Sequence, residues 1–135
     1  MAAPEIEAEP FMTLTVTLRR IPIGATPYGE RMEVPFEGTA TSTLWEGERE
    51  VWGVDHITIG NTGTARIDVH TIIIMGGDEV ITYRGTGRGL SIGVREGVIF
   101  ETAIERLAWL NDTVAVGSGR LDGDRLTVEI FRITS

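Results

Sequence analysis

The chain has 135 residues, with 12 Lys+Arg against 20 Asp+Glu, a formal charge of −8, 41% hydrophobic residues, 17 Gly, two His and no Cys. That length fits one domain, which buries roughly two-thirds of its unfolded surface and needs no disulfide or metal staple. The missing cysteine excludes a disulfide scaffold, thiolate catalysis and Cys-based zinc or iron–sulfur sites, and two imidazoles cannot form a three-His cage.

The acidic balance argues against nucleic acid, which asks for a basic stripe, and against an anionic membrane surface. Apolar runs such as Ile72-Ile73-Ile74-Met75 are far too short to span a bilayer. Met1 to Pro10 carries Glu5, Glu7 and Glu9 and no basic side chain, unlike a signal peptide. The expectation is a soluble, cytoplasmic protein, with residues 1–11 a flexible acidic lead-in and 12–135 one domain.

In chain order, Thr13, Thr15 and Thr17 alternate with Leu14, Val16 and Leu18, a period of two that reads as a strand. Ile21 to Met32 holds Pro22, Gly24, Pro27 and Gly29 and reads as a loop. Strands follow over Glu37 to Trp45 and Glu50 to Ile59, then a hairpin turn at Gly60-Asn61-Thr62-Gly63. Arg66 to Met75 is the most β-rich segment. Gly76-Gly77-Asp78 turns it back into Glu79 to Gly85. Gly87, Gly89 and Gly93 leave the next stretch unassigned, and Val98 to Thr102 reads as a strand.

Thr102 followed by Glu105 is a capping-box pattern, which predicts one or two helical turns over Thr102 to Leu110. Thr113 to Leu121 and Leu126 to Thr134 form a last hairpin about Asp122-Gly123. The total is eight or nine short strands: an all-β fold, a barrel or a sandwich.

Five segments resemble one family in order and spacing: Gly24-Ala25-Thr26-Pro27-Tyr28-Gly29-Glu30-Arg31, Gly53-Val54-Asp55, Ile67-Asp68-Val69, Phe100-Glu101-Thr102, and Glu105-Arg106-Leu107-Ala108-Trp109-Leu110-Asn111. They resemble the domain of unknown function 3237 family of small bacterial and fungal proteins, from about Leu14 to Ile133. His56 stands where that family usually has Trp, and Leu107 where an aromatic is usual. The resemblance implies a single antiparallel β-barrel, lipocalin-like in shape, and implies no activity.

A three-residue loop ending at Gly63 pairs Gly60 with Thr64 and sets His56 opposite Asp68. A two-residue loop would instead set Asp55 opposite His70. The first is preferred, because Thr62 is poor at positive φ. A turn at Gly77-Asp78 pairs Ile72 with Tyr83, so that Asp68, His70 and Tyr83 share a face with His56, and Ile67, Val69, Thr71, Ile73 and Met75 share the other. Which of the two lines the interior stays open, since the inside of a small barrel is usually its apolar face.

A His beside a carboxylate is a proton-transfer pair, and a Tyr hydroxyl can donate to a developing oxyanion. The expected catalytic residues are therefore His56, Asp68, Tyr83 and Glu101. Arg31, Asp55, His70, Trp109 and Asn111 are the expected substrate contacts. No recognised metal-ligand spacing is present and no phosphate loop surrounds Gly87-Arg88-Gly89, so no metal or other cofactor is expected. The expected function is acid–base isomerisation, elimination or ring closure on a small organic ligand in a homo-oligomer. The alternatives are a non-catalytic carrier or an oligomeric structural protein.

Overall fold

In the computed structural model, which describes residues 5–135, the period-two segments are strands and their apolar phase is the inside. Nine strands run β1 (Ala8–Leu18), β2 (Ile21–Thr26), β3 (Gly29–Ser42), β4 (Arg49–Ile59), β5 (Ala65–Gly76), β6 (Glu79–Leu90), β7 (Gly93–Thr102), β8 (Val114–Asp122) and β9 (Arg125–Ile133). A 3-10 helix, Glu105–Asp112, lies between β7 and β8. On β5 the residues Ile67, Val69, Thr71, Ile73 and Met75 are buried, and those between them are half-buried or exposed.

From β2 to β9 each strand pairs antiparallel with the next, and β1 pairs with both β9 and β3, so eight strands close a barrel with β2 as an extra strand. The closing ladder runs from Met12↔Ser42 to Leu18↔Phe36. An interior of this size is either filled by side chains or holds one small ligand. Here it does both. One end is filled by a core that includes Phe11, Ile73, Phe100, Leu110 and Ile130. Phe100 meets Phe11 and Tyr83 edge to face, with ring centroids 5.7 and 5.6 Å apart. The 3-10 helix caps this end, burying Leu107 and Leu110.

Four local expectations are corrected. Ile21–Thr26 is a strand rather than loop. Pro22 has no N–H to give a ladder, but β2 is an edge strand, where that costs little, and the register shifts between Pro22 and Gly24. The sharp return into β3 uses Gly29, at φ 135, where a Cβ would fall 2.1 Å from the Ile59 carbonyl oxygen. The glycine-rich stretch is the end of β6 and the start of β7, bare because neighbouring backbone approaches it: a Cβ on Gly87 would lie 1.9 Å from the Arg95 carbonyl oxygen. The helix starts at Glu105, with Ile104 before it and no side-chain cap. Thr102 instead accepts from the Ile104 N–H (3.1 Å) and donates to the Val80 carbonyl (2.9 Å).

The fourth correction concerns the lead-in. β1 begins at Ala8, paired with Ile133, so residues 8–11 belong to the barrel; residues 1–4 lie outside the described part. No helix among the described residues is long and apolar enough to cross a membrane.

Candidate functional site

Towards the other end the inward side chains are aliphatic and leave a cavity of about 450 Å³. Leu14, Val16, Val34, Ile57, Ile67 and Val128 line its wall, and Arg20, Gly63 and Ser91 line the side away from the core. The Arg20 guanidinium donates to the Asp124 carboxylate (2.6 Å) and the Gly123 carbonyl (3.1 Å), so its charge is already matched. Three polar groups reach the cavity from its floor, Asp55 of β4, Tyr83 of β6 and Glu96 of β7.

Each is inside because of its phase along its strand. Asp55 follows Val51 and Gly53 in the inward phase of β4, and Glu96 precedes Val98 and Phe100 in that of β7. Asp55 Oδ1 accepts from the Asp68 backbone N–H (3.2 Å). Glu96 is only 7% exposed and lies across bare backbone: a Cβ on Gly85 would fall 2.6 Å from its Oε2, and one on Gly117 2.8 Å from its Cγ and Oε1. Any larger residue at either position would claim the space the carboxylate occupies.

Burial governs the electrostatics of all three, because a charge sheltered from water is destabilised relative to the neutral form. Desolvation pushes the Asp55 carboxyl up to about 6, against the lowering effects of the Asp68 N–H and His56. Desolvation, then the Asp55 charge, push Glu96 up to about 7. Tyr83, 5% exposed, is raised above the ordinary phenol by burial and then by Glu96, so it stays a hydroxyl. Thr71 stands opposite Tyr83 in the ladder and is buried beside it, and its hydroxyl partly offsets the rise of Tyr83. The floor therefore offers two carboxyls that titrate near neutrality and a hydroxyl donor.

The residues expected from sequence divide between the two sides of the wall. Gly60 pairs with Thr64 and Gly63 has φ 85, so His56 stands opposite Asp68 as the three-residue loop requires. That row lies outside the barrel. His56 Nδ1 contacts Glu33 Oε2 on the outer wall. Asp68 accepts two hydrogen bonds from Arg84 (3.0 and 3.1 Å), which hold its carboxyl below the usual carboxylate range. His70 is exposed, its ring 6.0 Å from that of His56.

Tyr83 does not share their face, which corrects the expected grouping. The Gly77-Asp78 turn does set Gly76 opposite Glu79, but the register shifts between Ile74 and Gly76. A one-residue bulge moves every later residue to the other face, so Tyr83 pairs with Thr71 and turns inward. Among the described residues no cluster of three His, Asp or Glu side chains could hold a metal.

Glu101 and Arg31 are exposed on the outer wall, Arg31 at 3.4 Å from Glu33. Trp109 sits on the 3-10 helix under the Arg132 guanidinium, 5.2 Å from its ring centre. Asn111 accepts from the Thr102 N–H (2.8 Å) and donates to the Thr102 carbonyl (3.0 Å), tying that helix to β7. Of the nine expected residues, Asp55 and Tyr83 alone line the cavity. Sequence reasoning missed Glu96, although its alternation with Val98 and Phe100 against Gly97 and Ile99 is a readable signal.

A closed antiparallel barrel with an apolar cavity and an acidic floor thus defines the class of protein. The chain belongs to the family described as protein of unknown function (DUF3237), whose model matches residues 6–91 and 89–133. It is similar in fold to a Rhodopseudomonas palustris protein of unknown function, with 18% identity, TM-score 0.85, and coverage of 98% of this chain and 100% of that one. A barrel-like protein from Acinetobacter baumannii matches with 22% identity, TM-score 0.82, and coverage of 98% and 99%. A Penicillium herquei protein described as an enzyme matches with 19% identity, TM-score 0.76, and coverage of 99% of both chains. No curated protein matches the chain.

Proposed function

We propose that the barrel binds a small, largely apolar organic molecule and rearranges it by proton transfer at the cavity floor. The observation that carries this reading is the convergence of Asp55, Glu96 and Tyr83 at the inner end of an otherwise aliphatic cavity. A cavity of about 450 Å³ is within the range of small-molecule sites, which are mostly apolar with a few placed polar groups.

Two buried carboxyls raised toward neutrality titrate as a pair. Near neutral pH the pair holds about one proton, so the ionised member of Asp55 and Glu96 is the base that takes a proton from carbon or oxygen. The protonated member is the acid that returns one. Tyr83, kept protonated by burial, donates a hydrogen bond to the oxygen on which charge develops. Isomerisation, elimination and ring closure each need only these steps. The likeness to a fungal protein described as an enzyme supports catalysis on this fold. The aliphatic wall equally supports a carrier, which would hold the same ligand without exchanging its protons.

The deciding measurement is deuterium exchange. Ketones and phenols retained by the protein are incubated with it in D₂O and examined by mass spectrometry. The enzyme reading expects label at a carbon next to a carbonyl or hydroxyl, slowed at least about 10²-fold by Asp55→Asn or Glu96→Gln. A ligand recovered from wild type both unlabelled and chemically unchanged establishes the carrier instead.

A further inference from the structure

The outer wall near the cavity mouth carries a row of arginines that the cavity does not use. The ladder sets Arg66 of β5 directly opposite Arg88 of β6, and Arg88 opposite Arg95 of β7. Arg120 of β8 stands one step nearer the mouth, opposite Gly93. All four are exposed. Among the described residues none of them forms an ion pair, and neither do Arg19, Arg49 and Arg125, whereas Arg20, Arg31, Arg84, Arg106 and Arg132 all do. Arg88 and Arg95 donate instead to the Gly87 (3.0 Å) and Val94 (2.9 Å) carbonyls beside them.

Like charges directly opposite across a ladder destabilise a sheet. This fold nonetheless concentrates them in one strip of a chain whose formal charge is −8. Exposed carboxylates gather at the other, closed end, with Glu46, Glu48 and Glu50 around the β3–β4 connection and Glu105 and Asp112 on the 3-10 helix. Beside the strip, on the β6–β7 turn, Leu90 and Ile92 are 48% and 61% exposed. A shallow groove of about 480 Å³ runs between Arg95, Ser118, Arg120 and Thr127, with Ile92 and Glu129 also on its walls.

We propose that this strip docks an acidic surface of a partner protein beside the mouth of the barrel. Four arginines on four adjacent strands span about 14 Å, too far for one phosphate or carboxylate to bridge. Arginine interleaved with exposed aliphatic side chains is the composition of a protein interface rather than of a polyphosphate groove. A two-fold contact with a second copy centred on the strip would set arginine against arginine. A flat anionic membrane approaching the mouth would meet Asp122 on the β8–β9 turn, where Asp124 is paired with Arg20. A partner held here sits where an apolar ligand enters or leaves the cavity. This inference is independent of the chemistry proposed for the floor.

The test is fluorescence anisotropy with the whole protein and a labelled peptide built of Glu, Leu and Asp. Wild type binds it, and binding weakens roughly tenfold or more between about 20 and 200 mM NaCl. The double variant R88Q/R95Q binds at least about tenfold more weakly while its thermal midpoint stays level or rises. R106Q, at the closed end and paired with Glu79, binds as wild type does. Three outcomes overturn the proposal: no peptide binding, equal binding by R88Q/R95Q, or tighter binding to an oligothymidylate or to phosphatidylserine vesicles than to the peptide. Salt-sensitive self-association lost in R88Q/R95Q would assign the strip to a second copy and also overturn it.

Discussion

Glu96 is the residue on which the cavity floor turns, because its carboxylate is almost wholly sheltered from water and no side chain among the described residues neutralises it. Its carboxyl rises from 4.5 to about 7 in the folded protein. Between those values the native state holds a proton that the unfolded chain has lost, so stability falls as pH rises through this window. Glu96→Gln removes the titration. Its stability relative to wild type should therefore increase from pH 4.5 to pH 8, by about 2–3 kcal/mol, as read by urea unfolding at each pH. A flat difference across that range would show that the carboxyl is not raised. Asp55, pushed up to about 6, titrates in the same sense over a narrower window, so proton-transfer activity should rise with pH through about 6 as the base ionises and fall beyond about 7 as the acid deprotonates. On the outer wall, Asp68→Asn keeps the backbone N–H that holds Asp55. It should leave deuterium exchange within about twofold of wild type and cost less than about 1 kcal/mol, the usual worth of an exposed ion pair.

At the scale of the element, single-residue steps decide which side chains enter the cavity. The register shift between Ile74 and Gly76 turns Tyr83 inward. Nothing in the composition of Gly76-Gly77-Asp78 distinguishes a plain two-residue hairpin from the same turn with one bulged residue, so this part of the site was not legible. The β4–β5 hairpin was, because Gly63 supplies the left-handed residue that its three-residue loop needs. Strand glycines hold the carboxylate in place. Gly85→Ala would put a Cβ 2.6 Å from Glu96 Oε2 and 2.7 Å from Val69 Cγ1. It should cost about 1–3 kcal/mol in urea unfolding and slow deuterium exchange even though the substituted residue has no polar group. Asn111→Ala removes both hydrogen bonds that fasten the 3-10 helix to Thr102 and should cost about 1–3 kcal/mol. Because that helix caps the filled end, ligand affinity should change little, as titration calorimetry on the same variant would show.

At the scale of the molecule, the barrel separates charge as well as polarity. Its closed end is acidic, its outer wall near the mouth carries arginines that form no ion pair among the described residues, and two further carboxyls are enclosed. The formal charge of −8 reads as uniform repulsion of polyanions, yet it is an average over surfaces of opposite sign. The sequence by itself determined the all-β architecture and most strand positions, since alternation with β-branched residues and glycine turns is a local signal. It also favoured the His56–Asp68 pairing over Asp55–His70, and the three-residue loop bears that preference out. Only the tertiary structure decided that this pair lies outside and that Asp55, Tyr83 and Glu96 meet inside. Facing in or out is a property of closure: a strand has two faces, and which of them encloses the cavity is set by the strands it pairs with across the whole barrel.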